Sequence, residues 1–169
     1  MKRVLLDTNI YGELAIDPEL ERIVNQVVDR KKVIVHGCKV IRDELRNIPR
    51  HEFSARGRQL RMDALSFYDD FVRDRSVVIT APILRLAGNY YWTYRELGGS
   101  KPWRAICNDF VIVAAASDKL LDIVVSQDEA TMRSDTALKA YEIANNLLRL
   151  RMPKFIAYEK FKEMLRQEV

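Results

Sequence analysis

The chain opens Met1-Lys2-Arg3-Val4-Leu5-Leu6-Asp7-Thr8-Asn9, and the reading of this stretch decides the fold. Val4, Leu5 and Leu6 are apolar without polar alternation, as in a strand covered on both faces of a parallel sheet. The run ends abruptly on a carboxylate. The same kind of run recurs at Val33-Ile34-Val35, Val77-Val78-Ile79 and Ile123-Val124-Val125, with a weaker candidate at Phe155-Ile156-Ala157 after Pro153. Between the runs, helical periodicity spans roughly 18–30, 39–48, 55–75, 82–97, 103–121 and 135–149, with a short helix at the C-terminus. Pro18 and Pro82 sit where a first-turn proline is tolerated, and Gly98-Gly99 marks a stop. Strand and helix alternate, which predicts an α/β layered fold around a central parallel sheet of four to five strands. No repeat, low-complexity tract or linker divides the sequence, so residues 1–169 are expected to form one domain.

Composition narrows the class. Of the 169 residues, 48% are hydrophobic and 31% charged, which excludes a disordered chain. Cys38 and Cys107 lie far apart in no CxxC arrangement, and read as free thiols in a reducing compartment. No apolar run reaches the length of a membrane span, and Val4–Leu6 is too short for a signal-peptide core. A cytoplasmic protein with no membrane partner is expected. The net charge of +4 is compatible with a polyanionic partner without establishing one.

In open parallel sheets, ligands bind beyond the carboxyl ends of the strands. Asp7 follows the first strand directly, and Asp128 follows the 123–125 strand after Ser126-Gln127. A lone Asp in such a place reads as a helix N-cap. Two at equivalent strand ends read as a site. Helix geometry selects two further acids. Ile41, Leu45 and Ile48 define a buried stripe; Glu44 falls about 70° from its centre, whereas Asp43 points nearly opposite. Ile106, Phe110, Val113, Ala114 and Leu121 define a second stripe, with Asp109 on its shoulder and Asn108 turned away. An ion pair with a nearby arginine is the ordinary explanation for such an acid. If Asp7, Glu44, Asp109 and Asp128 converge, however, four like charges require raised pKa values or a bound cation. Ligands that are all oxygen favour Mg²⁺ or Mn²⁺ over zinc.

These residues also carry a resemblance. Val4-Leu5-Leu6-Asp7-Thr8-Asn9 resembles the opening motif of PIN-domain ribonucleases of the VapC-like kind, and Ile41-Arg42-Asp43-Glu44-Leu45 resembles their second acidic motif. Asn108 to Ala116, an Asp opening an alanine-rich helix, is similar to the third, and Val124-Val125-Ser126-Gln127-Asp128 to the fourth. The likeness covers about residues 1–157 in order and spacing. It implies a three-layer α/β/α sandwich and a metal-dependent endoribonuclease that hydrolyses RNA phosphodiesters. Asp7, Glu44, Asp109 and Asp128 would be its catalytic residues, holding one or two Mg²⁺ or Mn²⁺ ions. Thr8, Asn9 and Ser126 would support them, although Asn9 also suits a helix cap. The family further implies a homodimer and, for a toxin of a toxin–antitoxin pair, a protein inhibitor (antitoxin). Two positions depart from its pattern. His36-Gly37-Cys38 stands where a small hydroxyl residue commonly precedes the second acid, and Thr131-Met132 stands where an aromatic commonly follows the fourth.

Basic residues are the candidates for RNA contact. Arg46, Arg50, His51, Arg56, Arg58 and Arg61 cluster with only Glu52 opposing them, and Lys101 and Arg104 lie near Asp109. A solvated helix face is the commoner origin of such a run. Tyr90, Tyr91, Trp92, Tyr94 and Trp103 read as core or dimer packing rather than base stacking. His36 and His51 show no metal-ligand spacing. Among rivals, a haloacid-dehalogenase phosphotransferase needs an Asp where Asn9 stands, a receiver domain needs paired acids at strand one, and a P-loop is absent. The serious alternative is a catalytically silent PIN-like module that binds RNA or protein; retention of all four acids argues against it.

Overall fold

The computed structural model describes residues 1–29 and 31–167. The apolar runs form β1 (Lys2–Leu6), β2 (Val33–Cys38), β3 (Ser76–Val77), β4 (Ile123–Val125) and β5 (Lys154–Ile156). They build one sheet in the order β3-β2-β1-β4-β5, and every neighbouring pair is parallel. The chain leaves β1 for β2 on one side and returns to β4 on the other. That reversal opens a crevice beyond the carboxyl ends of β1 and β4, the usual ligand position in such sheets.

Eight helices among the described residues cover the sheet: α1 (Thr8–Ile16), α2 (Leu20–Val28), α3 (Lys39–Arg46), α4 (Leu60–Val72), α5 (Ala81–Glu96), α6 (Trp103–Asp118), α7 (Asp135–Leu147) and α8 (Tyr158–Arg166). One group joins α1 to α4 with α8, packed on β2 through α4; the other joins α5 to α7, packed on β4 through α6. The result is the expected α/β/α sandwich with a five-stranded parallel sheet.

Tyr90, Phe110 and Tyr141 pack edge to face with centroids 4.9 to 6.3 Å apart, locking α5, α6 and α7 together. Buried polar groups within this layer satisfy one another. Tyr90 Oη donates to Asn145 Oδ1 (2.6 Å), and Ser117 Oγ lies 3.0 Å from both Tyr90 Oη and Asn145 Nδ2. Tyr90 and Tyr94 are therefore core residues, as expected, while Trp92 is 69% exposed.

Several boundaries differ from the sequence reading. Helix α1 is absent from it, because Thr8, Asn9 and Gly12 are weak helix formers and the buried face holds only Ile10, Tyr11, Leu14 and Ala15. The helix expected over 55–75 starts at Leu60, after a loop in which Phe53 bridges Gln59 and Gly57 has φ 73°. The third strand ends at Val77, and Val78 is 73% exposed at the sheet edge, where one flank has no neighbour. Helices α4, α6 and α7 stop at or just before left-handed residues Arg73, Leu120 and Arg149, short of the periodic pattern. The expected 18–30 helix ends at Val28, and its residue 30 lies outside the described residues.

Gly37 in β2 lies directly against the Tyr68 ring of α4. A Cβ there would stand 2.7 Å from Cε2 and Cζ of Tyr68, whose hydroxyl donates to Cys38 O at 3.0 Å. Gly37→Ala should therefore lower stability by about 1–3 kcal/mol through overpacking. Denaturant midpoints check this; an unchanged midpoint would show that the ring can move aside.

Candidate metal centre

Asp7 occupies the crevice because the β1 ladder carries it there. Its backbone N donates to Val125 O at 2.9 Å, after which the chain turns into α1 with Asp7 as the N-cap. Oδ1 accepts from Thr8 N (2.8 Å) and Oδ2 from Ser126 Oγ (2.7 Å). The side chain is buried, and burial pushes its pKa up, assisted by the Asp128 charge and opposed by the two hydrogen bonds. The cap and site readings of Asp7 are thus compatible. Asn9, by contrast, is not the cap. It lies inside α1, and its Oδ1 accepts from Gln127 N at 3.3 Å, tying α1 to the loop after β4.

Ser126 is fully buried and links two acids. Its Oγ donates to Asp7 and accepts from Asp128 N at 3.0 Å. Asp128 Oδ1 accepts from Ala130 N (3.0 Å) and Thr131 N (2.8 Å), which fixes the turn that carries it. Thr131 then does what sequence reasoning missed. Its Oγ1 lies 2.5 Å from Asp109 Oδ2 and also hydrogen-bonds Asp128 Oδ2. A hydroxyl has one proton, so bridging two carboxylate oxygens requires a second proton on one acid. Asp109 holds a proton more tightly than a free carboxyl does. Burial pushes its pKa up to about 7 against the Thr131 hydrogen bond, and the charges of Asp7, Asp128 and Glu44 push the same way. The only signal in the sequence was a hydroxyl three positions after Asp128.

Glu44 enters from α3, on the inward side predicted for it. Burial raises its pKa first, followed by the Asp7 charge, while Thr8 and Asn108 stand near enough to favour the carboxylate. Neither Glu44 Oε1 nor Thr8 Oγ1 makes a hydrogen bond of good geometry, and both atoms are buried. Asp43 is the surface charge expected, paired with Lys39 and Arg46. Among the described residues, no lysine or arginine is among the groups that set the acidity of Asp7, Glu44 or Asp109.

Among the described residues, no three His, Cys, Asp or Glu side chains are arranged to hold a metal ion by themselves. A hydrated hard dication does not need such a cage. Mg²⁺ keeps several waters and binds through one or two carboxylates. The all-oxygen donor set, the orphaned Glu44 Oε1 and the mutual repulsion of the acids fit an ion of that kind.

The basic residues divide. Arg56 is committed to structure, 2.7 Å from Glu21 and over the Phe67 ring at 5.1 Å. Arg58 lies 3.9 Å from the buried Asp63, and Arg46 3.8 Å from Asp43. Arg50, Lys101 and Arg104 are exposed.

The raised acids predict a pH dependence in chelator. Asp109 titrates near 7 when folded and near 4 when unfolded, so the folded state holds the extra proton between these values. Stability contributed by this group is full below about pH 4 and is lost as the pH rises through about 7. Melting temperatures of wild type minus Asp109→Asn should fall across that window. A flat or rising difference would contradict the shift.

No protein-family model and no curated protein matches the chain. Solved structures do. A chain of VapBC2 from Rickettsia felis, bound to a DNA fragment from their promoter, aligns with a TM-score of 0.57 at 11% identity, over 92% of this chain and 98% of that one. A chain of VapBC-5 from Mycobacterium tuberculosis, a member of the VapBC family of toxin–antitoxin systems, aligns with a TM-score of 0.51 at 19% identity, over 81% and 95%. The chain therefore has a VapC-like PIN-domain fold.

Proposed function

We propose that this chain is a Mg²⁺- or Mn²⁺-dependent endoribonuclease that hydrolyses RNA phosphodiester bonds. One observation carries the reading: acids from β1, α3, α6 and the β4 exit act on one another electrostatically, and Asp7, Glu44 and Asp109 are held above their ordinary pKa with no described lysine or arginine among the causes. Asp7, Glu44, Asp109 and Asp128 would hold one or two ions. Such an ion supplies Lewis acidity at a phosphoryl oxygen and a water acidic enough to attack near neutral pH.

The chain's own residues orient this site. Ser126 fixes Asp7 against Asp128, Thr8 N holds Asp7 Oδ1, and Thr131 clamps Asp109 to Asp128. Asn9 stiffens the loop through Gln127. Arg46, Arg50, Arg58, Lys101 and Arg104 supply positive charge for the RNA backbone, whereas Arg56 serves the loop instead.

The VapBC neighbours support a toxin role with a protein inhibitor as partner. A second copy of the chain is the other partner we propose, served by the exposed Trp92, Leu97, Leu147 and Leu148 on α5, α7 and their C-terminal ends. The reading takes the whole chain as one nuclease domain in the cytoplasm, where Cys38 and Cys107 would stay free. No described helix is long and apolar enough to cross a membrane.

Metal titration of wild type and Asp7→Asn tests the proposal. At metal about one hundredfold above its Kd, linkage adds about 2.7 kcal/mol of stability. Wild type should melt higher in Mg²⁺ or Mn²⁺ and cleave RNA, and Asp7→Asn should lose both responses. Undiminished cleavage by Asp7→Asn would sink the assignment. A wild type that binds RNA with no metal response would favour the silent module.

A further inference from the structure

A cleft of about 400 Å³ lies between α1 and the segment joining α3 to α4. It begins at Asn9, already tied to the Gln127 loop, and runs past Gly12 and Glu13 to Ile16. Helical rise places Gly12 to Ile16 roughly 7 to 14 Å beyond Asp7 along the helix axis. Nothing stands within 4 Å of where a Cβ on Gly12 would lie, so the floor is open. Glu52 and Phe53 form the opposite wall.

That wall is pinned from below. Ala55 N donates to Ala15 O (2.8 Å), Leu60 N to Glu52 O (2.7 Å) and Ser54 N to Arg58 O (2.8 Å). The buried Ser54 donates its hydroxyl to the buried Asp63, and Arg56 pairs with Glu21. On this fixed loop Phe53 is 63% exposed, and Ile16, 56% exposed, lines the same cleft. A flat aromatic face held in solvent stacks on an unpaired base. Glu13 and Glu52 only accept hydrogen bonds, so they repel a phosphate and suit the amino and imino groups of a base. Arg50 and His51, both exposed, precede the wall and suit the backbone.

We propose that this cleft is a nucleobase pocket, seating one unpaired base of the strand presented to Asp7. Phe53 stacks on the base, while Glu13 and Glu52 accept hydrogen bonds from its amino group. The inference rests on the ribonuclease reading for the presence of that strand. One ring and two aliphatic side chains, Ile16 and the mostly buried Leu60, between two carboxylates match a single base better than the longer apolar stripe of a docked peptide.

Fluorescence anisotropy with the divalent metal chelated removes cleavage from the test. The probes are short labelled strands of abasic sugar-phosphate units carrying one central guanosine, cytidine or uridine, or no base at all. Wild type should bind the guanosine and cytidine probes more tightly than the abasic one. Phe53→Ala should weaken them about five- to 150-fold, the loss of one base–aromatic stack, and leave the abasic probe unaffected. Phe53→Trp should retain binding, and Glu13→Gln or Glu52→Gln should flatten the preference for amino-bearing bases. Equal affinity for abasic and guanosine probes overturns the pocket. So does Phe53→Ala binding like wild type with an unchanged melting curve, or no binding of any probe, which would hand the cleft to a peptide. Base preference without cleavage in metal supports the pocket and counts against the nuclease reading alone.

Discussion

A carboxylate buried at the end of β1, with no described lysine or arginine among the groups that set its acidity, is the constraint on which the rest of the site depends. Taking such a group out of water costs several kcal/mol even after relaxation. Two hydrogen bonds, from Thr8 N and Ser126 Oγ, return part of that cost to Asp7. The neighbouring acids then act against it, since the Asp128 charge raises its pKa and its own charge raises that of Glu44 and Asp109. A hard dication among the acids would outweigh this repulsion.

The scaffold bears the strain by tying down each element that delivers an acid. The Tyr90, Ser117 and Asn145 network fixes α6, and hence Asp109, to its two neighbouring helices. On the other side, Lys162 of α8 reaches Asp17 at 2.9 Å between α1 and α2, with both side chains nearly buried. There burial opposes the Asp17 charge, yet hydrogen bonds from Glu19 N and Lys162 hold its pKa below the ordinary value. The contrast with Asp7 is chemical: Asp17 has a lysine against it, and no described lysine or arginine is among the groups that set the acidity of Asp7.

What could be read in the sequence followed from how local the signal was. Apolar runs ending in Asp7 and Asp128 placed both acids at one sheet edge, because strand direction and parallel pairing leave little choice. Helical-wheel geometry distinguished Glu44 from Asp43 because side-chain direction on a helix is fixed by spacing. Helix α1 was not delimited because its first half holds the weak helix formers Thr8, Asn9 and Gly12 and its buried face is short. Thr131 escaped because its bond to Asp109 joins residues far apart in the chain, and no periodicity encodes such a contact. The basic run over 46–61 misled in part: Arg56 serves the loop that holds Phe53 outward, a role visible only once Glu21 and Phe67 are beside it.

The central claim is that the fold gathers four acids to bind a divalent ion. A crystal structure of the protein in Mn²⁺, with anomalous scattering to locate the metal, tests it most directly. The account predicts a peak in the crevice touching Asp7 and at least one of Glu44, Asp109 and Asp128, with waters completing its coordination. Saturating Mn²⁺ with no peak there, or with a peak only elsewhere on the surface, would contradict it.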